Sequence, residues 1–383
     1  KRPKLRFPSF DEPYILHRIG DIYAERSERG AADMELLSVT MNGGVMQRSE
    51  IEGKDNSSED KSNYKVVRKG DMVYNSMRMW QGANGVSSYD GIVSPAYTVL
   101  TAKVSICNEY FAALFKNYKL INEFRKNSQG MTSDTWNLKY PQIETIKVYL
   151  PEVAEQEKVA SMLVTLDKRI AAQATLVEQL KKYKRGLNRR LLSQIEESYN
   201  CKLGSVCKII GGGTPDTLHG EYWGNSVEWF TPSEIGKTKY VNSSVRKLSN
   251  EGLSNSSAKL LPAGTVLLTT RATLGEMSIA EKECSTNQGF QSLIPLTSRV
   301  SSEYLYYMQI IIKPWCEKYS SGNTFREISK SALSECIIPV PEKPQQDKIV
   351  KLLSTVDTLI ASEEKEASLL VQLKSSLLQQ LFI

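Results

Sequence analysis

The sequence predicts an α+β protein in which two related globular segments alternate with two long helices. Three observations predict this organisation: a repeat offset by 190 positions, a 3.5-residue apolar period in two proline-free stretches, and short strand-like runs between Gly, Asn and Ser-rich turns. The length of 383 residues agrees with two or three domains. We place the globular segments at 1–150 and 199–341, and the helices at 151–198 and 342–383.

The repeat is clearest in the two helices, where it runs without a gap. The matched residues include Pro151 and Pro341, Gln156 and Gln346, Leu163 and Leu353, and Asp167 and Asp357. Both copies alternate apolar steps of three and four, a period that indicates a coiled-coil seam. Polar interruptions of the seam coincide too, Gln173 with Glu363 and Lys184 with Lys374. The alternative, two unrelated amphipathic helices, does not account for the matched phase.

The globular segments repeat more loosely. A strand opened by Gly70 and ending near Arg78 resembles one opened by Gly264 and ending near Arg271. Helices are predicted over 109–126 and 303–319. The predicted strands are Leu36–Thr40, Met72–Asn75, Tyr97–Ala102, Ile146–Leu150, Glu228–Phe230, Thr265–Thr270, Gln291–Leu296 and Cys336–Val340.

Composition and charge exclude several classes of protein. Hydrophobic residues at 40% and charged residues at 24% are globular values, and no apolar run reaches the length of a membrane span. The net charge of +6 is compatible with a polyanionic partner. Six scattered cysteines and no signal sequence favour a reduced, cytoplasmic protein. The chain opens with Lys1 instead of Met, so a trimmed product or a missing start is expected.

The residues of an active site are missing from the sequence. His17 and His219 are the only histidines, too few for a histidine-based metal site. The segment Gly211–Gly213 lacks the lysine of a phosphate-binding loop, and no methyltransferase or nuclease motif has a convincing context. We therefore predict no catalytic residue, metal or cofactor in this chain. A large duplicated protein without such chemistry is expected to bind and position something.

Several segments together, in order and in duplicate, give the chain a resemblance to a known family. Besides the repeated helix starts and the Gly70 and Gly264 strands, they are Pro3-Lys4-Leu5-Arg6-Phe7-Pro8, Gly211-Gly212-Gly213-Thr214-Pro215 and Trp229-Phe230-Thr231-Pro232-Ser233-Glu234-Ile235. With them the whole chain resembles the specificity (S) subunits of type I restriction–modification systems. The resemblance implies two target-recognition domains, 1–150 and 199–341, joined by two conserved helices that pack as an antiparallel coiled coil.

The first domain departs from this pattern. It has no Gly-Gly-Thr-Pro turn, and Ser94-Pro95-Ala96-Tyr97 stands where the second domain has Asn287-Gln288-Gly289-Phe290. These differences predict that the two domains read different DNA sequences.

The resemblance also implies a function and a set of partners. The chain would be a non-catalytic subunit that reads a bipartite site in double-stranded DNA, with one half-site for each domain. It would recruit two modification subunits that use S-adenosylmethionine, and restriction subunits that use ATP and Mg. Forty helical residues at ~1.5 Å each give a rod of roughly 60 Å, which predicts a spacer of about ten to fifteen base pairs.

Polar side chains on the predicted loops are the candidates for base contacts, because Arg, Asn, Gln, Ser and Thr read base edges. Arg78 and Arg271 rank first, since both follow the duplicated strand; the alternative for each is pairing with a carboxylate. Trp80, Trp136, Trp223 and Trp229 are expected in the core or at its rim. The full set is Ser38, Thr40, Asn42, Arg78, Gln81, Asn84 and Asn137 in the first domain, and Thr214, Thr231, Ser233, Arg271, Thr273, Asn323, Thr324 and Arg326 in the second.

The helices are expected to have a second role. Apolar residues outside the seam, Met162, Leu176, Leu352 and Leu369, are candidate docking points for the modification subunits. The basic stretch 181–190 is either a solvated face near a helix C-terminus or a contact with DNA or a partner. Two other functions stay open: an adaptor that joins proteins without touching DNA, and a DNA-modifying enzyme with an unfamiliar site.

Overall fold

The computed structural model describes residues 1–29, 33–41, 43–53, 55, 57–322 and 326–383. They form two compact units, the first made of Lys1–Thr175 and Glu364–Ile383 and the second of Leu176–Glu363. Each unit therefore contains a globular segment and one half of each long helix. Within the described part of the chain, no helix is both long and apolar enough to cross a membrane.

The first unit opens with strands and closes its globular segment with three short helices and a strand. Its elements are β1 (Ile15–Arg18), α1 (Ile19–Ile22), β2 (Tyr23–Glu25), β3 (Leu37–Thr40), β4 (Gly44–Gln47), β5 (Lys65–Val67), β6 (Met72–Asn75), β7 (Asn84–Val86), β8 (Gly91–Val93), β9 (Tyr97–Ala102), α2 (Asn108–Leu114), α3 (Tyr118–Asn127), α4 (Tyr140–Ile143) and β10 (Lys147–Leu150). The helix α5 (Val153–Ser193) begins directly after them.

The sheets of the first unit are small and mostly antiparallel. Four strands follow the order β2-β9-β6-β7, and the pairs β1-β10, β3-β4 and β5-β8 complete the set. The main core lies between the four-stranded sheet and the helices, where Tyr23, Phe111 and Phe115 are fully buried. Leu381 and Phe382, directly after the last helix, are buried in the same core.

The second unit repeats this plan with a larger sheet. Its elements are β11 (Asn200–Lys202), β12 (Cys207–Gly211), β13 (Trp223–Phe230), β14 (Tyr240–Val241), β15 (Arg246–Leu248), α6 (Asn250–Ser254), β16 (Val266–Leu268), β17 (Met277–Ala280), β18 (Cys284–Thr286), β19 (Gln291–Pro295), α7 (Ser302–Tyr307), α8 (Gln309–Tyr319), α9 (Lys330–Ser334), β20 (Ile337–Pro339) and α10 (Lys343–Gln380). Five strands follow the order β12-β19-β16-β17-β14, beside β15-β13-β18 and β11-β20. Leu192 of α5 and Leu353 of α10 are buried in its core.

The two predicted helices of the globular segments are each interrupted. Residues 109–126 form α2 and α3, because Asn117 leaves the helical conformation between them (φ −67°, ψ 135°) and caps α3 by accepting a hydrogen bond from the Lys119 amide. The Asn117 side chain also donates a 2.7 Å hydrogen bond to the carbonyl of Leu378. Residues 303–319 form α7 and α8, with Met308 between them. Each globular segment thus contains two consecutive helices where the sequence predicted one continuous helix.

A buried glutamine fixes the start of each long helix. The Gln156 side chain donates to the Pro151 carbonyl at 3.0 Å and accepts from the Cys107 amide at 3.1 Å. Gln346 repeats this, donating to the Pro341 carbonyl at 2.8 Å and accepting from the Ser301 amide at 3.2 Å. The repeated glutamine is therefore a structural link between the helix start and its globular segment.

The lysines that interrupt the seam form equivalent ion pairs in the two units. Lys374 pairs with Asp167 in the first unit, and Lys184 pairs with Asp357 in the second. In the first unit the later residue Arg169 pairs with the earlier residue Glu366 at 2.8 Å, so the helices run antiparallel. The predicted α+β class with an antiparallel coiled coil is confirmed. A charged pair in a seam costs stability and selects one register.

Reversing the Lys184–Asp357 pair tests this role. The single change Lys184→Asp is expected to lower the free energy of unfolding by about 1–2 kcal/mol, because two carboxylates then face each other in the seam. Adding Asp357→Lys should recover most of the loss, since the opposite charges are restored. Urea denaturation of the two single variants and the double variant measures the coupling. If the losses of unfolding free energy in the two single variants simply add in the double variant, the pair does not select the register.

Candidate nucleic-acid interface

Four polar loops of the second unit meet at one place, and we call residues 212–214, 231–233, 271–273 and 287–289 the second-unit loop cluster. The Gly213 amide donates to the Thr286 carbonyl at 2.9 Å. A Cβ atom on Gly212 would collide with the Asn287 carbonyl, so only glycine permits this close passage. The Thr214 hydroxyl then donates to the side-chain oxygen of the exposed Gln288.

A strained turn completes the cluster. Among the described residues, Ala272 is the one non-glycine residue with positive φ, at 61°, a conformation that costs an L-residue about 1 kcal/mol or more. It lies between Arg271 and Thr273, and the Thr273 hydroxyl donates to the Pro232 carbonyl at 3.2 Å. The Arg271 Nε atom lies 3.2 Å from where a Cβ of Gly289 would stand. Glycine therefore leaves room for the Arg271 guanidinium beside the 287–289 loop.

The other predicted residues of the second unit differ in their exposure and in whether their side chains already have hydrogen-bond partners. The Thr231 hydroxyl donates to Glu234 at 2.6 Å and lies 3.1 Å from that of Ser233, so it caps a short 3-10 turn. Ser233 is exposed on that turn. Arg326 is exposed and donates to the Glu317 carbonyl. Asn323 and Thr324 lie outside the described residues.

The first unit has a matching pair of loops, 76–81 and 129–138, which we call the first-unit loop cluster. The Leu138 amide donates to the Ser76 carbonyl at 2.8 Å, and the rings of Trp80 and Trp136 meet edge to face at 5.3 Å. Arg78 is exposed and Gln81 is half-buried in this cluster. The second unit shows the same link, since the Ile328 amide donates to the Thr270 carbonyl at 3.3 Å.

Several predicted residues of the first unit lie elsewhere or have other duties. Asn84 is fully buried and donates to the Gly82 carbonyl at 3.0 Å, so it is not available to a base edge in this structure. Thr40 holds the β3–β4 turn by accepting from the Gly43 amide at 2.9 Å. Ser38 and Asn137 are half-buried, and Asn137 pairs with Gln129 through two backbone hydrogen bonds. Asn42 lies outside the described residues.

The surface of the long helices presents an apolar row in the second unit. Leu176, Tyr183, Leu352 and Leu359 each precede a seam residue and are 39–59% exposed. Leu369 is 55% exposed in the first unit, whereas Met162 is half-buried against the first core. The exposed residues of the basic stretch are Lys182, Arg185, Arg189 and Arg190.

Four of the six cysteines are buried. Burial raises the pKa of the Cys207, Cys284, Cys316 and Cys336 thiols to about 12, which keeps them protonated and unreactive. A side-chain hydrogen bond donated to the Glu221 carboxylate raises the pKa of the exposed His219. The described residues contain no group of three or more His, Cys, Asp or Glu that could hold a metal ion.

Comparison with known proteins assigns the family. The model of the type I restriction modification DNA specificity domain matches residues 30–182 and 195–371. The MjaIX specificity subunit of Methanocaldococcus jannaschii is 36% identical over 186 residues, which cover 48% of this chain and 43% of that protein. The match thus spans less than half the length of that relative.

Two solved structures share the fold. The S subunit of a type I restriction–modification system from M. genitalium has a TM-score of 0.57 at 15% identity and covers 100% of this chain and 99% of its own. A chain from a study of assembly and conformational transition of the type I R-M system has a TM-score of 0.64 at 18% identity, covering 97% and 98%. With two family matches that together span most of its length, the chain belongs to the family of type I restriction–modification specificity subunits.

Proposed function

We propose that this chain reads a bipartite site in double-stranded DNA for a type I restriction–modification complex. One observation carries the proposal: the specificity-domain model matches the chain twice, and each match contains one of the two loop clusters. We assign target recognition to 1–150 and 199–341. Each domain would read one half-site.

Base contacts would come from the loop clusters, because these surfaces combine exposed donors and acceptors with backbones held by hydrogen bonds. In the second unit the candidates are Thr214, Ser233 and Thr273, to which we add Gln288. In the first unit Gln81 is retained. A Gln amide can pair with both N6 and N7 of adenine, so a side chain oriented by Thr214 suits direct readout. Asn323 and Thr324 remain candidates on sequence grounds alone.

The coiled coil would serve as ruler and docking platform. Its seam fixes the register of α5 against α10, so the length of the helices would set the spacer between the half-sites. The apolar row of the second unit and Leu369 in the first are exposed where a helix of a modification subunit could cover them. Repetition of the helix sequence supports two docking sites.

Catalysis would belong to other chains of the complex. Modification subunits would supply S-adenosylmethionine chemistry, and restriction subunits would supply ATP- and Mg-dependent cleavage. The two matches to the DNA specificity domain support a role in recognition for this chain.

Selection from a randomised duplex library tests the proposal. We expect the full chain, assembled with its modification subunits, to enrich a split motif with a fixed gap. Exchanging the second globular segment for that of a relative should change one half of the motif and leave the other. An intact complex that enriches no sequence would instead favour an adaptor that joins proteins without touching DNA.

A further inference from the structure

Arg78 and Arg271 lie in the same loop of two domains that otherwise differ, Arg78 two residues after Ser76 and Arg271 one residue after Thr270. Each follows a strand that begins after a left-handed glycine, Gly70 or Gly264. Just beyond the strand ends, the Ser76 carbonyl accepts a hydrogen bond from the Leu138 amide and the Thr270 carbonyl accepts one from the Ile328 amide. Each loop cluster thus contains an arginine shortly after its glycine-initiated strand.

Neither guanidinium is neutralised by the described residues around it. Arg78 is exposed and Arg271 partly exposed, and within the described ranges no carboxylate pairs with either. Carboxylates of the adjoining loops already have partners: Glu234 accepts from Thr231 at 2.6 Å, and Glu276 accepts from Lys313 at 2.5 Å and Gln309 at 3.0 Å. The alternative of a structural ion pair is therefore not realised at either position.

Hydrogen bonds hold the loop backbone around each arginine, although neither guanidinium has a carboxylate partner within the described ranges. The Arg78 carbonyl accepts from the amides of Gln81 at 2.9 Å and Ala83 at 3.3 Å. In the second unit, the Thr273 carbonyl accepts from the Glu276 amide at 3.1 Å and from the Thr269 hydroxyl. A cationic side chain on a backbone that hydrogen bonds hold in place is suited to binding an anion at a defined position.

A residue type that both domains contain cannot account for a difference between the DNA sequences that they read. The loops that differ, such as 94–97 against 287–290, are the ones able to distinguish half-sites. We therefore propose that Arg78 and Arg271 each bind a phosphodiester of the DNA backbone, one in each half-site, and do not read a base. The inference rests on the proposed function and narrows it. It also revises the sequence-based expectation, in which both arginines ranked first as readers of bases.

Phosphodiester is the ligand that this geometry favours. A guanidinium donates two parallel hydrogen bonds to phosphate oxygens, and such contacts set the register of a protein on DNA without carrying sequence information. A base contact would instead demand a different residue wherever the recognised base differs.

The test measures affinity and its salt dependence for Arg78→Ala, Arg271→Ala and the control Lys282→Ala, each in the complete complex with modification subunits. Lys282 is an exposed cation of the same unit, beyond the far end of β17 from Arg271, so it matches the loss of charge. The probes are the duplex selected by the wild-type complex and an unrelated duplex of equal length.

Each arginine variant is expected to bind both duplexes about tenfold more weakly, with the slope of log K against log salt reduced by about one. The motif selected from a library should stay unchanged. Lys282→Ala should match the wild type.

Three results would overturn the inference. If Arg271→Ala alters the preference at one base pair and leaves binding of the unrelated duplex intact, the arginine reads a base while the proposed function stands. If both arginine variants behave like Lys282→Ala, neither side chain contacts DNA. If the wild-type complex binds neither duplex, the inference and the proposed function fail together.

Discussion

Removing one heptad from each long helix is expected to shorten the preferred spacer by about three base pairs. Seven residues at ~1.5 Å span roughly 10 Å, and duplex DNA rises ~3.4 Å per base pair. Deleting 171–177 from α5 and 364–370 from α10 keeps the phase of the seam, because whole heptads are removed. Library selection with the shortened chain should return the same two half-motifs with the shorter gap.

Two controls distinguish the effect of helix length from the effect of disrupting the coiled coil. Deleting four residues from each helix changes the seam phase and should abolish binding, because polar residues then enter the seam. The heptad variant should unfold at a urea concentration close to that of the wild type. An unchanged gap in a well-folded heptad variant would contradict the ruler and leave the helices with a purely structural role.

Glu155→Ala is expected to destabilise the first unit by about 3–5 kcal/mol, because it leaves a charge without its partner in the interior. The Glu155 side chain is 1% exposed and accepts from Arg6 at 2.9 and 2.7 Å. Tyr14 donates a third hydrogen bond at 3.0 Å, and burial raises the pKa of its hydroxyl. Glu155 binds the N-terminal segment to the start of α5, so its loss also releases that segment.

Thermal and urea denaturation measure this effect, and Glu157→Ala is the matched control. Glu157 is an exposed carboxylate two residues along the same helix, so its removal should change the free energy of unfolding by less than about 0.5 kcal/mol. Glu155→Gln keeps the shape and one acceptor oxygen but not the charge, and should fall between the two. Equal stability of Glu155→Ala and Glu157→Ala would show that the buried pair contributes nothing.

The sequence predicted the parts of the fold that depend on periodic patterns. The seam residues, the strands of Met72–Asn75 and Tyr97–Ala102 and the starts of both long helices have a local signature, and the structure contains them. The break at Asn117 has none, because a distant acceptor, the Leu378 carbonyl, holds that side chain. The burial of Asn84 was equally hidden, since a polar residue in a glycine-rich run is typical of an exposed loop.

The candidate interface was also predicted only in part, because some of its residues have a local sequence signature and others depend on distant contacts. Arg78 and Arg271 were found because each follows the strand that the chain repeats, Met72–Asn75 in one domain and Thr265–Thr270 in the other. Gln288 was missed as a candidate because its contact with Thr214 joins residues far apart in the chain. The capping role of Thr231 depends on Glu234 three residues later. This spacing is typical of a capping box, so the sequence alone could have indicated that Thr231 has a structural role.

The seam pairs carry a genetic consequence. The first helix contains both Asp167 and Lys184, and the second contains their counterparts Asp357 and Lys374. Each half of the chain therefore holds one acid and one base of a self-complementary set, as the two subunits of a symmetric dimer would. A gene that exchanged either half for a relative's half with the same acid and base would keep both Lys–Asp pairs opposed. New combinations of half-sites could then arise by recombination without a new coiled coil having to evolve.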